Sequence, residues 1–274
     1  MVALDLDGTT LNSSKEFSPR TIKAFHDAME KGIHIVISTG RTFHSLPKQM
    51  FTIEGLEYVV TANGAVITRL ADRQKIYENC VTPEAVDQLA DILENRGFSV
   101  ETFVDGTAYI DKAEYDAMSS NGSTYRDVDY VLTTRHPIPD LIGFMRQHRD
   151  HIENISLNFE FDEDRERMRP VLLAVEGITL TSSFAHNFEI GGATTSKAEA
   201  LRHLMGLLGV SKEGLLACGD SPNDGQMIRL AGVGVVMGNS SDEMKKTADY
   251  VSDTNDNDGV AKAIEKFALG KTEE

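Results

Sequence analysis

Residues 2–9 read Val2-Ala3-Leu4-Asp5-Leu6-Asp7-Gly8-Thr9. The apolar run predicts a short buried strand, and Gly8 predicts a turn directly after it. Side chains alternate along a strand, but a bend at its end lets Asp5 and Asp7 approach one point. One carboxylate of such a pair can attack an electrophile while the other moves a proton.

The flanking parts of the chain alternate strands with helices. Ser18 is placed as an N-cap with Pro19 at the first helical position. Further predicted elements are strands at Ile33–Ile37, Tyr58–Ala62, Ala65–Thr68, Gly214–Cys218 and Val233–Met237, and helices at Ser196–Leu208, Pro222–Ala231 and Gly259–Leu269. Strands that alternate with helices predict an α/β fold with a doubly wound, mainly parallel sheet.

The middle of the chain follows another pattern. Its predicted elements are a helix at Pro83–Arg96, a hairpin of Phe98–Val104 and Thr107–Ile110, a helix from about Pro139, and strands at Ile152–Phe159, Val171–Val175 and Ile178–Phe184. Two repeats of a helix and a strand pair predict a small antiparallel α+β domain, inserted as residues 81–184 into a core of residues 1–80 and 185–274.

Composition restricts the partners of this chain. Its 274 residues carry a net charge of −16, which argues against binding to nucleic acid or to an anionic membrane. An anionic substrate would need a local cation or basic side chains. The two cysteines, Cys80 and Cys218, have no paired spacing, so we expect a reduced compartment and a cytoplasmic protein.

Four polar motifs fall where predicted strands end. Ligands of an open parallel sheet bind beyond the carboxyl ends of its strands. The motifs are Asp5/Asp7, Thr39-Gly40-Arg41, Lys197 after the predicted loop Gly191–Thr195, and Gly219-Asp220-Ser221-Pro222-Asn223-Asp224. Each motif alone is weak evidence, because a carboxylate or a Thr-Gly-Arg turn after a strand is often structural. Together, on one sheet edge, they predict a site.

The charges in that site favour a metal ion. Asp5, Asp7, Asp220 and Asp224 bring several like charges into one cleft, which a hard cation would offset. A ligand set of oxygens without histidine or thiol favours Mg²⁺.

Other groups in the motifs bind anions. Lys197 adds a compact positive charge, and the Thr39 hydroxyl and the N–H groups of Gly40 and Arg41 can donate to anionic oxygens. A carboxylate nucleophile, Mg²⁺ and these donors are typical of phosphoryl transfer.

The same motifs resemble those of the haloacid dehalogenase superfamily. The Asn63-Gly64-Ala65 turn, the mid-chain insertion, Met237-Gly238-Asn239 and Asp258-Gly259-Val260 resemble its Cof-type subfamily of capped phosphatases. The resemblance spans both halves of the predicted core and implies a Rossmann-like core with an α+β cap that selects the substrate.

The resemblance also implies roles for individual residues. Asp5 would be the nucleophile and Asp7 the general acid and base. Mg²⁺ would bind the Asp5 carboxylate, the main-chain carbonyl of Asp7 and Asp220. The remaining implied roles are metal support by Asn223 and Asp224, phosphoryl binding by Thr39 and Lys197, and substrate contact by Gly40, Arg41, Asn63 and Asn239.

The sequence therefore predicts a Mg²⁺-dependent phosphatase of small phosphorylated metabolites such as sugar phosphates, acting as a monomer or small homo-oligomer. Two alternatives remain open. A phosphomutase would pass the phosphoryl group to a second sugar hydroxyl, and a non-catalytic phospho-acceptor domain would retain it. Asp7 and the large insertion argue against the phospho-acceptor.

Overall fold

A computed structural model describes residues 1–94 and 97–271. The chain divides into two compact units. The first unit comprises Met1–Gly40, Pro47–Tyr77 and the described residues from Ser196 onward, and the second comprises Arg41–Leu46 and Glu78–Thr195. The second unit contains the predicted insertion, residues 81–184, and extends past both of its ends.

The strands, in chain order, are β1 Val2–Leu4, β2 Ile35–Ser38, β3 Tyr58–Thr61, β4 Val66–Arg69, β5 Gln74–Glu78, β6 Ser99–Val104, β7 Thr107–Asp111, β8 Arg135–Ile138, β9 Ile152–Asn158, β10 Ile178–Thr181, β11 Asn187–Gly192, β12 Leu216–Gly219, β13 Val233–Val236 and β14 Tyr250–Val251. The α-helices are α1 Pro19–Met29, α2 Pro83–Leu93, α3 Lys112–Asn121, α4 Val128–Thr134, α5 Leu141–Gln147, α6 Asp162–Leu173, α7 Lys197–Leu208, α8 Gly225–Leu230, α9 Asp242–Lys245 and α10 Gly259–Ala263. None of these described helices combines the length and the apolar character needed to span a membrane.

The first unit is built on an eight-stranded sheet in the order β14-β13-β12-β1-β2-β3-β4-β5. The strands from β14 to β3 are parallel, and β4 runs antiparallel to β3. Leu4 pairs with Ile37 on one side and with Cys218 on the other. The residues that follow β1, β2 and β12 therefore emerge at one edge, which confirms the predicted doubly wound core.

Helices cover the central strands of this sheet. Leu201 and Leu204 of α7 and Met227 of α8 pack against Ala3 and Val36 of the sheet. Burying these apolar surfaces stabilises the position of α7, which begins at Lys197. The Oγ atom of Ser18 accepts a hydrogen bond from the N–H of Thr21 at the start of α1, as the N-cap prediction requires.

The second unit contains a six-stranded sheet in the order β10-β11-β9-β6-β7-β8. Its pairings are antiparallel except for the parallel pair β7–β8. Residues of α2 and α5, including Leu89 and Met145, share a core with Ile155 and Phe188 of this sheet. β11 belongs to this unit because Ile190 pairs with Ile155 of β9, and the predicted loop Gly191–Thr195 therefore begins inside a strand.

One predicted strand, Val171–Val175, is wrong, because residues 171–173 end helix α6. Met168 and Leu172, four residues apart, are buried, whereas Leu173 is 66% exposed. Burial at a spacing of four residues is typical of a helix. Helix α2 ends at Leu93, and Arg96 of the predicted helix lies outside the described residues. Elements that the sequence analysis missed are β5, β8, β11, β14, α3, α4 and α9.

Candidate active site

Asp5 directly follows β1 and is 5% exposed. Its N–H donates to the carbonyl oxygen of Cys218 at 3.0 Å, and its own carbonyl accepts from the Thr10 hydroxyl. Burial, and then the negative charge of Asp224, raise the pKa of Asp5 well above its ordinary value, although Lys197 opposes this shift. Burial is thus the main cause of the shift, and the negative charge of Asp224 adds to it.

Gly8 brings the loop after β1 against Asp220. Its φ is +76°, and a Cβ atom there would lie 2.7 Å from Oδ2 of Asp220. Glycine alone meets both conditions without strain. The next residue, Thr9, donates its hydroxyl to Oδ1 of Asp220 at 2.7 Å, so the first and last motifs are joined directly.

Asp224 holds the loop that carries Asp220. Its Oδ2 atom accepts hydrogen bonds from the N–H groups of Asp220 and Ser221, each at 3.0 Å. A Cβ atom on Gly219 would lie 2.4 Å from the Cβ of Asp224, so this close packing needs a glycine. The buried Asp224 thus acts as the inner support of the loop.

Lys197 is the first residue of α7 and is 1% exposed. Its Nζ atom donates to Oδ1 of Asp5 and to Oδ1 of Asp224, both at 2.6 Å. Burial alone would lower the pKa of Lys197, but the carboxylates of Asp224 and Asp5 outweigh it and raise the pKa. Lys197 therefore remains protonated and holds Asp5 in place.

The residues present fit a divalent cation. Asp5, Asp220 and Asp224 each offer a carboxylate oxygen, and the three oxygens lie within 4.8 Å of one another. Burial and the charge of Asp224 also raise the pKa of Asp220. Lys197 contacts the carboxylates of Asp5 and Asp224 but not that of Asp220, so the cluster retains negative charge that a hard cation would offset.

Asp7 lies outside this acid cluster. It follows Asp5 in the same turn, its side chain is 40% exposed, and its Oδ1 lies 3.6 Å from Nζ of Lys15. An exposed carboxylate can exchange protons with water, as a general acid and base must.

The Thr39-Gly40-Arg41 motif divides between the two units. Thr39 is 1% exposed, its N–H donates to Val60 at 2.9 Å, and its carbonyl accepts from Asn63 at 3.0 Å. Gly40 is the last residue of the first segment of the first unit. Arg41 belongs to the second unit, where Nη1 donates to the Ser45 carbonyl at 3.0 Å and the guanidinium lies 4.8 Å from the ring centre of Tyr130.

The three predicted asparagines make contacts within the first unit. Asn223 Nδ2 donates to Oδ1 of Asn63 at 3.0 Å. Asn239 Nδ2 donates to the Gly8 carbonyl at 2.8 Å, and its Oδ1 accepts from the N–H of Asn255 at 3.1 Å. Asn239 thus joins two loops to the turn after β1, a structural contribution that the sequence analysis did not foresee.

Two contributors to the site were also missed. One is Thr9, for which the sequence predicts no role. The other is Ser196, which caps the helix that begins at Lys197, its Oγ accepting from the N–H of Glu199 at 3.1 Å. The Ser-x-x-Glu spacing at Ser196 is the available signal for this cap. The Thr9 contact depends on two distant strands meeting, which local sequence does not reveal.

Comparison with known proteins identifies the family of this chain. A model of the haloacid dehalogenase-like hydrolases matches residues 2–264, and the chain belongs to this family. Among curated relatives, it is 31% identical over 271 residues to the 5-amino-6-(5-phospho-D-ribitylamino)uracil phosphatase YcsE of Bacillus subtilis, covering 98% of this chain and 96% of that protein.

A second relative, phosphatase YwpJ of the same organism, is 32% identical over 286 residues, with 95% of this chain and 97% of that protein covered. The solved structure of a haloacid dehalogenase-like hydrolase from B. subtilis superposes with a TM-score of 0.83 at 29% identity, covering 97% of this chain and 99% of that one. The predicted family, fold class and phosphatase activity are confirmed.

Proposed function

We propose that this chain is a Mg²⁺-dependent phosphatase that hydrolyses small phosphorylated metabolites through an aspartyl-phosphate on Asp5. One observation carries the proposal: carboxylate oxygens of Asp5, Asp220 and Asp224 lie within 4.8 Å of one another, and Lys197 contacts both Asp5 and Asp224. A nucleophile, a cation site and a fixed lysine are the parts that phosphoryl transfer requires.

The proposed reaction has two steps. In the first, a carboxylate oxygen of Asp5 attacks the phosphorus atom, the ester bond breaks, and Asp7 gives its proton to the leaving alcohol. In the second, Asp7 removes a proton from water, which attacks the phosphorus atom and releases inorganic phosphate and the free Asp5 carboxylate. Thr39, Gly40 and Lys197 hold the phosphoryl oxygens during both steps.

Asp5, Asp220 and the main-chain carbonyl of Asp7 would hold Mg²⁺, with Asn223 and Asp224 in support. When bound, the ion offsets the like charges of the cluster and of the phosphoryl group. Asp224 already accepts two N–H groups and the Lys197 ammonium, so its part is to fix the loop and the lysine.

The proposed substrates are phosphate monoesters of sugars or of sugar-like chains. The relative YcsE is named for a substrate whose phosphate sits on a ribityl chain, which is such an ester. Arg41 and Asn63 are proposed as substrate contacts, and selection among phosphorylated metabolites is assigned to the second unit as the cap. Asn239 is proposed to contribute to substrate binding with the Nδ2 hydrogen that its contact with Gly8 does not use.

A phosphate-release screen over several dozen phosphorylated metabolites, with Mg²⁺ present, tests the proposal. We expect at least one sugar or sugar-alcohol phosphate to yield inorganic phosphate, and EDTA to abolish the release until Mg²⁺ is added back. An isomerised sugar phosphate without free phosphate would favour the mutase. A phosphoaspartate that persists for hours would favour the phospho-acceptor.

A further inference from the structure

The turn after β3 has an unusual backbone. Three successive residues have left-handed φ values: 48° at Ala62, 56° at Asn63 and 101° at Gly64. Residues that carry a Cβ rarely adopt this conformation, and asparagine tolerates it better than alanine does. Such a run persists only where the surrounding structure holds it in place, so its contacts are informative.

This left-handed turn, Ala62–Gly64, connects the loops of the candidate site. The N–H of Asn63 donates to the Thr39 carbonyl at 3.0 Å. A Cβ atom on Gly64 would lie 2.1 Å from the carbonyl oxygen of Ser196, the residue before Lys197. The side chain of Asn63 contacts Asn223 in the loop between Asp220 and Asp224. The turn therefore joins the anion-binding loop, the lysine helix and the metal loop.

The contact between the two asparagines leaves one atom of each amide unused. Asn223 Nδ2 donates to Asn63 Oδ1 at 3.0 Å, and Asn63 is 4% exposed. Among the described residues, the buried atoms Asn63 Nδ2 and Asn223 Oδ1 have no hydrogen-bond partner. A buried amide atom without a partner costs free energy, so such atoms indicate a group that the protein itself does not supply.

We infer that Asn63 is a positioning residue: by accepting the Asn223 nitrogen, it leaves the Asn223 oxygen available to the cation or to one of its water ligands. With the amide reversed, Asn223 would present N–H donors, which a hydrated cation does not accept as ligands. The inference rests on the proposed function, because it requires a cation at the acidic loop. It assigns to Asn63 a second role, in addition to the proposed contact with the substrate.

The test measures Mn²⁺ affinity by electron paramagnetic resonance in a double-mutant cycle. Asn63→Gly keeps the left-handed backbone accessible but removes the acceptor, and we expect Mn²⁺ to bind about 10-fold more weakly. In an Asn223→Asp background both terminal side-chain atoms of residue 223 are oxygens, so the orientation of this side chain no longer matters. There, Asn63→Gly should change the affinity by less than about twofold.

Arg73→Gly is the matched control, because Arg73 is exposed and also left-handed, with a φ of 58°. Arg73 lies between β4 and β5, whereas Ala62–Gly64 precedes β4. The substitution Arg73→Gly should therefore leave Mn²⁺ affinity unchanged. Asn63→Asp retains the acceptor and should bind Mn²⁺ at least as tightly as the wild type does.

Equal losses from Asn63→Gly in both backgrounds, or no loss in either, would overturn the inference and leave the proposed function intact. A wild-type chain that binds no Mn²⁺ would remove the proposed function itself, and this inference with it.

Discussion

Each unit contains a cluster of acidic and basic side chains, but carboxylates outnumber basic groups only in the cluster of the first unit. In the first unit, the carboxylates of Asp5, Asp220 and Asp224 lie together, and the ammonium group of Lys197 contacts those of Asp5 and Asp224. In the second unit, two guanidinium groups, those of Arg126 and Arg135, hold the carboxylate of Glu101, and the carboxyl group of Glu114 lies 3.5 Å from Arg126.

The hydrogen bonds of the two clusters differ in the same way. Glu101 Oε2 accepts from Nε and Nη2 of Arg135, at 3.0 and 2.9 Å, and Oε1 contacts Arg126. Burial would raise the pKa of Glu101, but the guanidinium groups outweigh it and hold the pKa at about 2. The pKa of Asp5 moves the other way. A cluster in which the protein's own cationic groups pair with the carboxylate stabilises the structure. A cluster in which carboxylates outnumber the cationic groups favours binding of an external cation.

The largest expected effect is on phosphate release, which should depend on the cluster of the first unit and not on that of the second. Asp5→Asn keeps the shape of the side chain but provides a poor nucleophile, so phosphate release should fall by at least about 10⁴-fold. Steady-state phosphate release on the best substrate of the screen measures this. Glu101→Gln should retain turnover wherever the protein stays folded. Activity of Asp5→Asn within tenfold of the wild type would refute the nucleophile assignment.

The second effect concerns stability. Glu101→Gln leaves two buried guanidinium groups without their carboxylate, and we expect the second unit to lose about 3 kcal/mol of stability. Amide hydrogen exchange of β6 and β9 measures this loss. The control is Asp116→Asn, which removes the exposed Lys112–Asp116 pair and should cost less than about 0.5 kcal/mol. Similar losses for the two variants would deny the Glu101 cluster a special structural role.

The third prediction concerns the dependence of the stability of the second unit on pH. Burial raises the pKa of Glu114, whose side chain lies 3.5 Å from Arg126, from 4.5 to about 7. The folded state therefore binds this proton more tightly than the unfolded state. The stability contributed by Glu114 should be constant below pH 4.5, fall by about 3 kcal/mol between pH 4.5 and 7, and then level off.

Hydrogen exchange in α3 and β6 across this pH range follows the change. Glu114→Gln should flatten the profile, because it removes the titrating group. A profile that keeps its fall in the variant would show that another group titrates.

The smallest effect has the opposite sign to that of Glu101. Asp220→Asn removes one of the surplus negative charges, so without metal the first unit should gain about 1 kcal/mol of stability. Urea unfolding in EDTA, with amide exchange in β1 and β12 as the local probe, measures this gain. A loss comparable to that of Glu101→Gln would mean that the acid cluster is not over-charged.

Prediction from sequence succeeded where local signals agree with the fold. Apolar strands that end at Leu4, Ser38 and Gly219 were placed within a few residues, because alternation with helices and turn residues marks their ends. The rule that parallel strands end at one sheet edge anticipated that Asp5, Asp220 and Asp224 would lie together. The roles of these residues stay predictions. The contacts of Thr9 with Asp220 and of Asn63 with Asn223 could not be foreseen, because they depend on loop conformations set by tertiary packing.

Errors concentrate in the second unit, where patterns are weaker. β8 contains Pro137 and pairs with β7, and proline disguises a strand. β11 ends in Gly191-Gly192, which read as a loop although both residues pair with β10. Helix α3 buries few side chains, so it shows little apolar period. Tertiary contacts decide the structure of such segments.

The most direct test is a magnesium titration of the unfolding free energy of the first unit. If the surplus carboxylates bind the cation, the wild-type free energy should rise by about 1.4 kcal/mol for each tenfold increase in free Mg²⁺ above its dissociation constant. Asp220→Asn should show no such rise over the same range. A wild-type curve that stays flat, or an Asp220→Asn curve that rises equally, would contradict the account.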